Sequence, residues 1–432
     1  MSTNFHSVKL DKTKCNGCTN CVRSCPTDAI RVREFEAIIK DEKCIDCGVC
    51  VQVCEENANY VLTDSLMELN NYDYNIVLPT AVLYGQFKAE YSPAKILAGL
   101  LELGFDDVWE VGVGVDILHA ILLKFLEERP ETSPLISATC PSVVRLIQVS
   151  FPEFLPNIIP LQEPMEILAR TIKERKAKEL GIPLDRIGIF YITSCSAKIT
   201  AINAPLGLED SYIDGAISVM DIYRPLIKFL NDVEANPKLQ RASKKGVNWV
   251  ISGGQKALCQ KCNKSLAVDG IDNVISVLKE LERGHLQEVE FFEFAACPGG
   301  CIGGPLNFKN RFISQSIIKD ISEDLSKDGL SDLINKQKII NNYSQGKYSI
   351  SKILKPSSCD RLDNNIKKAI NKLDKLEKIE DKLPGLNCTA CGAPSCRALA
   401  EDIINDSAQI EDCIIILKKK INKLSQQIND LV

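Results

Sequence analysis

The chain contains no apolar run of about 18 residues, so no segment reads as a membrane-spanning helix. It opens on the polar stretch MSTNFHSVKLDK, which lacks the apolar core of a secretory leader, and we expect a cytoplasmic protein. Neither sign of charge is in excess: 52 Lys and Arg against 57 Asp and Glu leave a net charge of -5, which offers no basic footprint for nucleic acid or an anionic membrane. Nor is there the polar bias of a disordered chain, since 45% of residues are hydrophobic and 25% charged. What the chain has is length and cysteine. At roughly 150 residues per domain its 432 residues point to about three domains. Nineteen cysteines in a reducing compartment point to metal ligands in preference to disulfides.

Their spacing divides the chain. Cys15, Cys18, Cys21 and Cys25 are followed by Pro26, and Cys44, Cys47, Cys50 and Cys54 repeat the spacing twenty-nine residues later. Each run is C-x-x-C-x-x-C-x-x-x-C, which resembles the bacterial ferredoxin pattern for two 4Fe-4S clusters. On that pattern the fourth cysteine of each run serves the other cluster, giving the sets Cys15, Cys18, Cys21, Cys54 and Cys44, Cys47, Cys50, Cys25. Zinc, which favours paired C-x-x-C units, is the competing reading. Glu55 stands where a proline often follows the last cysteine.

From about residue 70 to 350, apolar runs alternate with amphipathic stretches, the pattern of parallel strands covered by helices. Tyr74 to Leu78 and Arg186 to Thr193 read as buried strands, the second delivering Cys195 at its C-terminal end. Trp249, Val250 and Ile251 before Gly253 and Gly254 read the same way. Ala94 to Leu103, Leu118 to Glu128 and Val274 to Glu282 carry helical periodicity. A site is then expected beyond the strand ends.

A lysine-rich helical spacer from Ile366 to Lys382 leads to LPGLNCTACGAPSC. There Cys388, Cys391, Cys396 and Cys413 form C-x2-C-x4-C-x16-C, which suits a further 4Fe-4S cluster. Ile410, Ile414, Leu417, Ile421, Leu424, Ile428 and Leu431 alternate four and three apart, a heptad seam. It reads as a helix packed on its own domain or as the contact for a second copy or a signalling partner. Because Cys413 lies inside that seam, the cluster and its helix are expected to act as an output device, the competing reading being a cluster that only staples a small terminal domain.

Four cysteines remain in the middle region: Cys140 in SATCPS, Cys195 in ITSCSAK, and Cys297 and Cys301 in EFAACPGGCIGGP. At these residues the chain resembles the iron-iron hydrogenases, whose H-cluster is held by the motifs TSCCP, MPCxxKxxE and MACxxGCxxGG. The resemblance implies that Cys140, Cys195, Cys297 and Cys301 ligate a 4Fe-4S cluster. Cys301 would bridge to a diiron subcluster carrying carbonyl, cyanide and a bridging dithiolate, and Lys198 would hydrogen-bond a cyanide. It also implies protons and hydrogen as substrates and a redox donor or acceptor as partner. The expected fold is multidomain α/β: a ferredoxin-like α+β domain at 1–65, a hydrogenase-type α/β domain at 66–355, a helical linker at 356–382, and a small helical iron-sulfur domain at 383–432.

The departures from the motifs carry information. Thr139 occupies the place of the proton-relaying first cysteine of TSCCP, and a hydroxyl relays less readily than a thiol near neutrality. Thr193, Ser194 and Ala201 replace the methionine, proline and glutamate of the second motif, and Ala295 the methionine of the third. CIGGP has one glycine fewer than the family pattern. Ile121 and Leu122 fall near the family's relay glutamates, with His119 as a substitute candidate. These features resemble the divergent, sensory branches of the family. No kinase, phosphatase or sensory domain follows Val432, so a separate partner is expected to receive any signal. The competing readings are an electron-transfer or redox-sensing protein without the diiron part, and a hydrogenase-like iron-sulfur assembly factor. Cys259 and Cys262 in KALCQKC are expected to play a helical structural role, with a redox dithiol or extra cluster ligands as the competing readings, and Cys359 is unassigned.

The interlocked ligand sets make a direct prediction. Cys15→Ser and Cys54→Ser should each remove the same cluster and spare the other, as read by iron content and electron paramagnetic resonance; loss of different clusters in the two variants would break the pairing.

Overall fold

The computed structural model describes residues 5–128, 132–259, 262, 264–326, 333, 335–357 and 365–430. The chain forms two compact units. One comprises Met1–Ser7, Ile45–Gly48 and Leu62–Pro356, and the other Val8–Cys44, Val49–Val61 and Ser357–Val432.

In the second unit, β1 (Val8–Leu10), β2 (Ile30–Arg33), β3 (Glu36–Ile39) and β4 (Asn59–Val61) pair antiparallel as β1 with β4 and β2 with β3. The duplication read from the cysteines recurs in the backbone. Left-handed residues stand at Gly17 and Asp46, Thr19 and Gly48, and Asp28 and Asn57. The Cys25 and Cys54 sulfurs accept from the backbone N–H groups of Ala29 and Ala58, each at 3.2 Å. The helix expected as a spacer, Ile366–Glu380, belongs to the C-terminal module: Leu376 is buried with Leu383, Leu399 and Ala400. The helix Ile414–Asn429 has no buried residue, and its seam residues Ile414, Leu417, Ile421, Leu424 and Ile428 are exposed. The start of the seam does pack on its own domain, since Ile410 lies against the core of Leu376, Leu399 and Cys413 together with Ile415 and Ile416, whereas the seam from Ile414 to Ile428 faces away from it; Leu431 lies outside the described residues.

The first unit is built on two parallel sheets. In one, β5 (Tyr74–Pro79), β6 (Asp107–Val108), β8 (Ile187–Thr193) and β9 (Gly215–Ser218) are ordered β6-β5-β8-β9; in the other, β7 (Leu135–Ile136), β10 (Ser265–Asp269) and β11 (Phe291–Ala295) are ordered β10-β11-β7. Every residue of β8 is buried, as expected of a strand with helices on both faces. The helices Pro93–Leu101, Val111–Glu127 and Ile271–Glu282 match the expected periodic stretches, the first ending two residues and the second one residue before the expected end. One expected strand is absent: Trp249–Ile251 follow the short helix Lys244–Asn248, and Ile251 makes only an isolated bridge to Gly300. The glycines that follow allow the segment to turn back instead of extending, and Gly253 takes a positive φ of 90°.

The helices Val111–Glu127 and Pro164–Leu180 cross closely at Gly114, where an added Cβ would lie 2.2 Å from the carbonyl oxygen of Pro164. Since that neighbour is backbone, Gly114→Ala should lower stability by roughly 2 kcal/mol despite alanine's better helix propensity. Denaturant unfolding would measure it, and an unchanged midpoint would contradict the close crossing.

Candidate functional site

The C-terminal ends of both sheets deliver the middle cysteines to one place. Cys195 directly follows Ser194 at the end of β8 and caps the helix Ser196–Asn203; Cys140 lies four residues beyond β7 and caps Pro141–Ser150. Cys297 follows β11, and Cys301 opens a short 3-10 turn. All four line a single cavity, with Thr139, Lys198, Thr193, Ser194 and Ala295 also in its wall. Two of the thiols thus sit at helix N-termini, where the helix dipole favours negative charge.

The glycine-rich loop is held tightly. An added Cβ on Gly304 would lie 2.5 Å from the Ser194 carbonyl oxygen, and on Gly300 2.7 Å from the Ser252 nitrogen. The Ser194 hydroxyl and the Asn307 amide each donate to the Cys301 carbonyl at 3.1 Å. Ser194, in place of the family proline, therefore anchors the loop in which one glycine is missing.

Burial raises all four thiols: Cys195 is pushed up to about 12 and Cys301 to about 11, while Cys140 and Cys297 also rise. For Cys195 and Cys297 the charges of the neighbouring thiolates add to burial. Four thiolates cannot share this cavity without a compensating cation. A thiolate-ligated iron-sulfur cluster supplies one, so this donor set fits that group.

Lys198 is buried beside them. Its amine donates to the Glu163 carboxylate and, at 3.4 Å, to the Thr139 carbonyl. Burial opposes its charge, but the Glu163 carboxylate outweighs this and keeps Lys198 protonated. On the other side, the Thr139 hydroxyl lies 3.0 Å from that of Ser137, which donates to the Gln255 side-chain oxygen. Neither Glu163 nor the Ser137–Gln255 pair was legible as part of a site. The only local signals were Ser137 standing two residues before Thr139 and Glu163 directly preceding a helix-initiating proline. Ile121 and Leu122 belong to a hydrophobic cluster, and His119 is absent from the cavity wall.

The remaining cysteines fall into groups. Cys15, Cys18, Cys21 and Cys54 line one small cavity with Val32 and Ala37. Cys388, Cys391, Cys396 and Cys413 line another. Cys25, Cys44 and Cys50 lie in the second unit, whereas Cys47 belongs to the Ile45–Gly48 segment of the first. That segment is tied down where the Ser196 hydroxyl donates to the Asp46 carbonyl at 2.6 Å and the Asp46 carboxylate meets His6 at 2.6 Å. The expected helical role of the KALCQKC pair is not what is found: Cys259 caps a short 3-10 turn and forms a disulfide with Cys262. Cys359 lies outside the described residues.

Residues 79–264 and 255–305 match the family described as iron only hydrogenase large subunit, C-terminal domain. Residues 7–55 match the 4Fe-4S dicluster domain, and residues 383–415 an Fe-S cluster family. The chain is similar to the NADP-reducing hydrogenase subunit of Solidesulfovibrio fructosivorans, with 22% identity over 382 residues, and to iron hydrogenase 1 of Clostridium pasteurianum, with 24% over 371. Each match covers 69% of this chain and 64% of the relative, so the chain spans less than two thirds of their length. A probable cytosolic Fe-S cluster assembly factor of Caenorhabditis elegans is 22% identical over 348 residues, covering 69% of this chain and 71% of that one. A solved iron-iron hydrogenase from Chlamydomonas reinhardtii, in its apo form, aligns at 15% identity with a TM-score of 0.49, covering 67% of this chain and 94% of that one. No described helix is long and apolar enough to cross a membrane.

Glu166, three residues beyond Glu163, yields a pH prediction. Burial pushes its carboxyl from 4.5 up to about 7, although Ser211 and the Tyr212 N–H donate to it at 2.6 and 2.9 Å. A raised carboxyl favours folding when protonated, so its contribution is full below about pH 4.5 and is lost as the pH climbs through about 7. Glu166→Gln, which can keep both partners, should remove a fall in unfolding free energy on the order of 2 kcal/mol between pH 5 and pH 8. Denaturant titrations at the two values would show it; an unaltered slope would place the fall elsewhere.

Proposed function

Because the chain belongs to the iron-only hydrogenase large-subunit family, we propose that its Cys140, Cys195, Cys297 and Cys301 cavity holds an H-cluster that interconverts protons and hydrogen at low turnover, and that the protein serves as a hydrogen or redox sensor. The observation that carries this reading is the convergence of four half-buried thiols and one buried lysine on a single cavity. The diiron part of such a group, with its carbonyl, cyanide and dithiolate ligands, supplies the hydrogen chemistry itself. The chain's own residues then do three things. The thiols fix the group at the strand ends. Lys198, held charged by Glu163, offers a donor to an anionic ligand in a water-poor cavity. Thr139, backed by Ser137 and Gln255, moves protons through hydroxyls with no readily ionised member. That last step is slow, which suits a protein read by occupancy and not by flux. The exposed seam from Ile414 to Ile428 is where a second copy of the chain would pair, since its a/d spacing is self-complementary.

A second reading, a 4Fe-4S protein without the diiron part, is favoured by one observation. Lys198 is already engaged by Glu163 and the Thr139 carbonyl, in a wall made polar by Thr193 and Ser194. The similarity to an Fe-S assembly factor points the same way.

Infrared spectra after maturation separate the two: bands of bound carbonyl and cyanide support the first reading, and their absence from protein carrying a full 4Fe-4S complement supports the second. In protein with those bands, Thr139→Cys should raise hydrogen evolution about tenfold, equivalent to about 1.4 kcal/mol of barrier. An unchanged rate would mean that Thr139 does not limit turnover.

A further inference from the structure

Within the second unit, the C-terminal module is seated on the β2–β3 hairpin by an arrangement whose parts lie some 360 residues apart in sequence: Arg31 and Asp402 are separated by 371 positions and Lys40 and Asp402 by 362. Asp402 is 1% exposed and stands on the helix that begins at Cys396. Its carboxylate accepts from Arg31 Nε at 2.6 Å, Arg33 Nη2 at 2.8 Å and Lys40 Nζ at 2.7 Å. Lys43 and Glu401 form a further pair at 3.3 Å. Three cations, Arg31 buried and Arg33 and Lys40 half-buried, therefore meet one buried carboxylate. Lys43 with Glu401 does not change the surplus, and Asp28, whose carboxylate acts on Arg31 and Lys43, reduces it to one positive charge. A partly buried positive charge is costly unless an anion lies near it.

The hairpin is also the wall of a cysteine cage. Val32 and Ala37 line the cavity of Cys15, Cys18, Cys21 and Cys54, and the Ala37 N–H donates to the Cys15 sulfur at 3.3 Å. On its other side the same Val32 donates its backbone N–H to the Gly392 carbonyl at 2.8 Å, and Gly392 is the residue after Cys391. Arg33 donates to the Cys391 carbonyl at 2.9 Å. Only glycine fits at 392: its φ is 75°, and a Cβ there would lie 2.0 Å from the Val32 carbonyl oxygen. From one cage to the other the path is thus Cys391, one peptide link, one hydrogen bond and Val32.

We propose that the C-terminal four-cysteine module and the Cys15, Cys18, Cys21, Cys54 cage form one electron relay, wired through Val32 and Gly392 and clamped by Asp402 with Arg31, Arg33 and Lys40. A cluster held by four thiolates is an anion, and more so when reduced. Two such clusters at close quarters would repel, and the surplus positive charge of the clamp would offset the repulsion. With both clusters held, the step would be a single electron passing from a reduced cluster to an oxidised one, with no bond made or broken and no proton moved, and a one-electron carrier outside the chain would supply or remove it. The relay rests on the two iron-sulfur family matches and not on the hydrogen chemistry, so absent carbonyl and cyanide bands would leave it standing.

Electron paramagnetic resonance of the fully reduced whole chain tests it. Cys388 is exposed, so Cys388→Ser should remove the C-terminal cluster without disturbing the fold. The relay requires that the relaxation and line shape of the cluster in the Cys15 cage change when its neighbour is lost, with the iron content falling by one cluster only. Unaltered relaxation of that cluster would overturn the proposal. Arg33→Gln, which keeps a donor near the Cys391 carbonyl but loses the charge, gives a second measurement. Redox titration should show the midpoint potentials of both clusters lowered, and a shift confined to one of them would refute a shared clamp.

Discussion

Four half-buried thiols gathered around one cavity are the constraint from which the rest of the larger unit follows. A thiol in a low-dielectric pocket resists ionisation, and each neighbour that ionises makes the next harder. The fold answers by placing Cys140 and Cys195 at helix N-termini and by bringing in Lys198, with Glu163 holding its proton. Glycine lets the CPGGCIGGP backbone approach Ser194 and Ser252 where any side chain would collide. Parallel strands that end together make this convergence cheap in backbone terms, because β5, β7, β8 and β11 all release their loops at the same edges.

The smaller unit solves a related problem by a different device. Its cages are shallower, with Cys18 and Cys388 exposed, and backbone N–H groups reach the sulfurs of Cys15, Cys25 and Cys54. Where the two modules of this unit meet, a buried carboxylate gathers three cations. Isolated surface ion pairs contribute little, but a buried carboxylate stripped of such partners is strongly destabilised. Asp402 therefore specifies a particular docking of the C-terminal module.

The Thr139 side of the main cavity is built from alcohols and an amide, Thr139, Ser137 and Gln255, and none of them titrates near neutrality. Acidic groups are present, but Glu163 is committed to Lys198 and Glu166 to Ser211 and Tyr212. The same restraint explains how Ser194 can replace a proline: the hydroxyl that adds polarity to the wall is used to hold the Cys301 loop.

Much of this was legible before any coordinates. Cysteine spacing is a local property, so the duplicated runs, the C-terminal quartet and the isolated cysteines stood out, and β8 was marked by an apolar run too short for a helix. Helical periodicity located the helices Val111–Glu127 and Ile271–Glu282 for the same reason. Trp249–Ile251 misled, because a short apolar segment before two glycines looks like a strand whether or not a partner strand is there to pair with it. The heptad pattern of Ile414–Asn429 was equally visible, but whether its seam is covered depends on what stands opposite, which no local period encodes. Glu163 and Asp402 were silent in sequence, as any charged residue on a helix is. Their roles arise only when folding brings Lys198, or Arg31, Arg33 and Lys40, within hydrogen-bond reach and removes the water that would otherwise screen them. The amino-acid sequence by itself determined the spacing of the cysteines and the periodicity of most elements; tertiary structure alone decided which charges face one another, because Coulomb forces depend on distance and burial and not on separation along the chain.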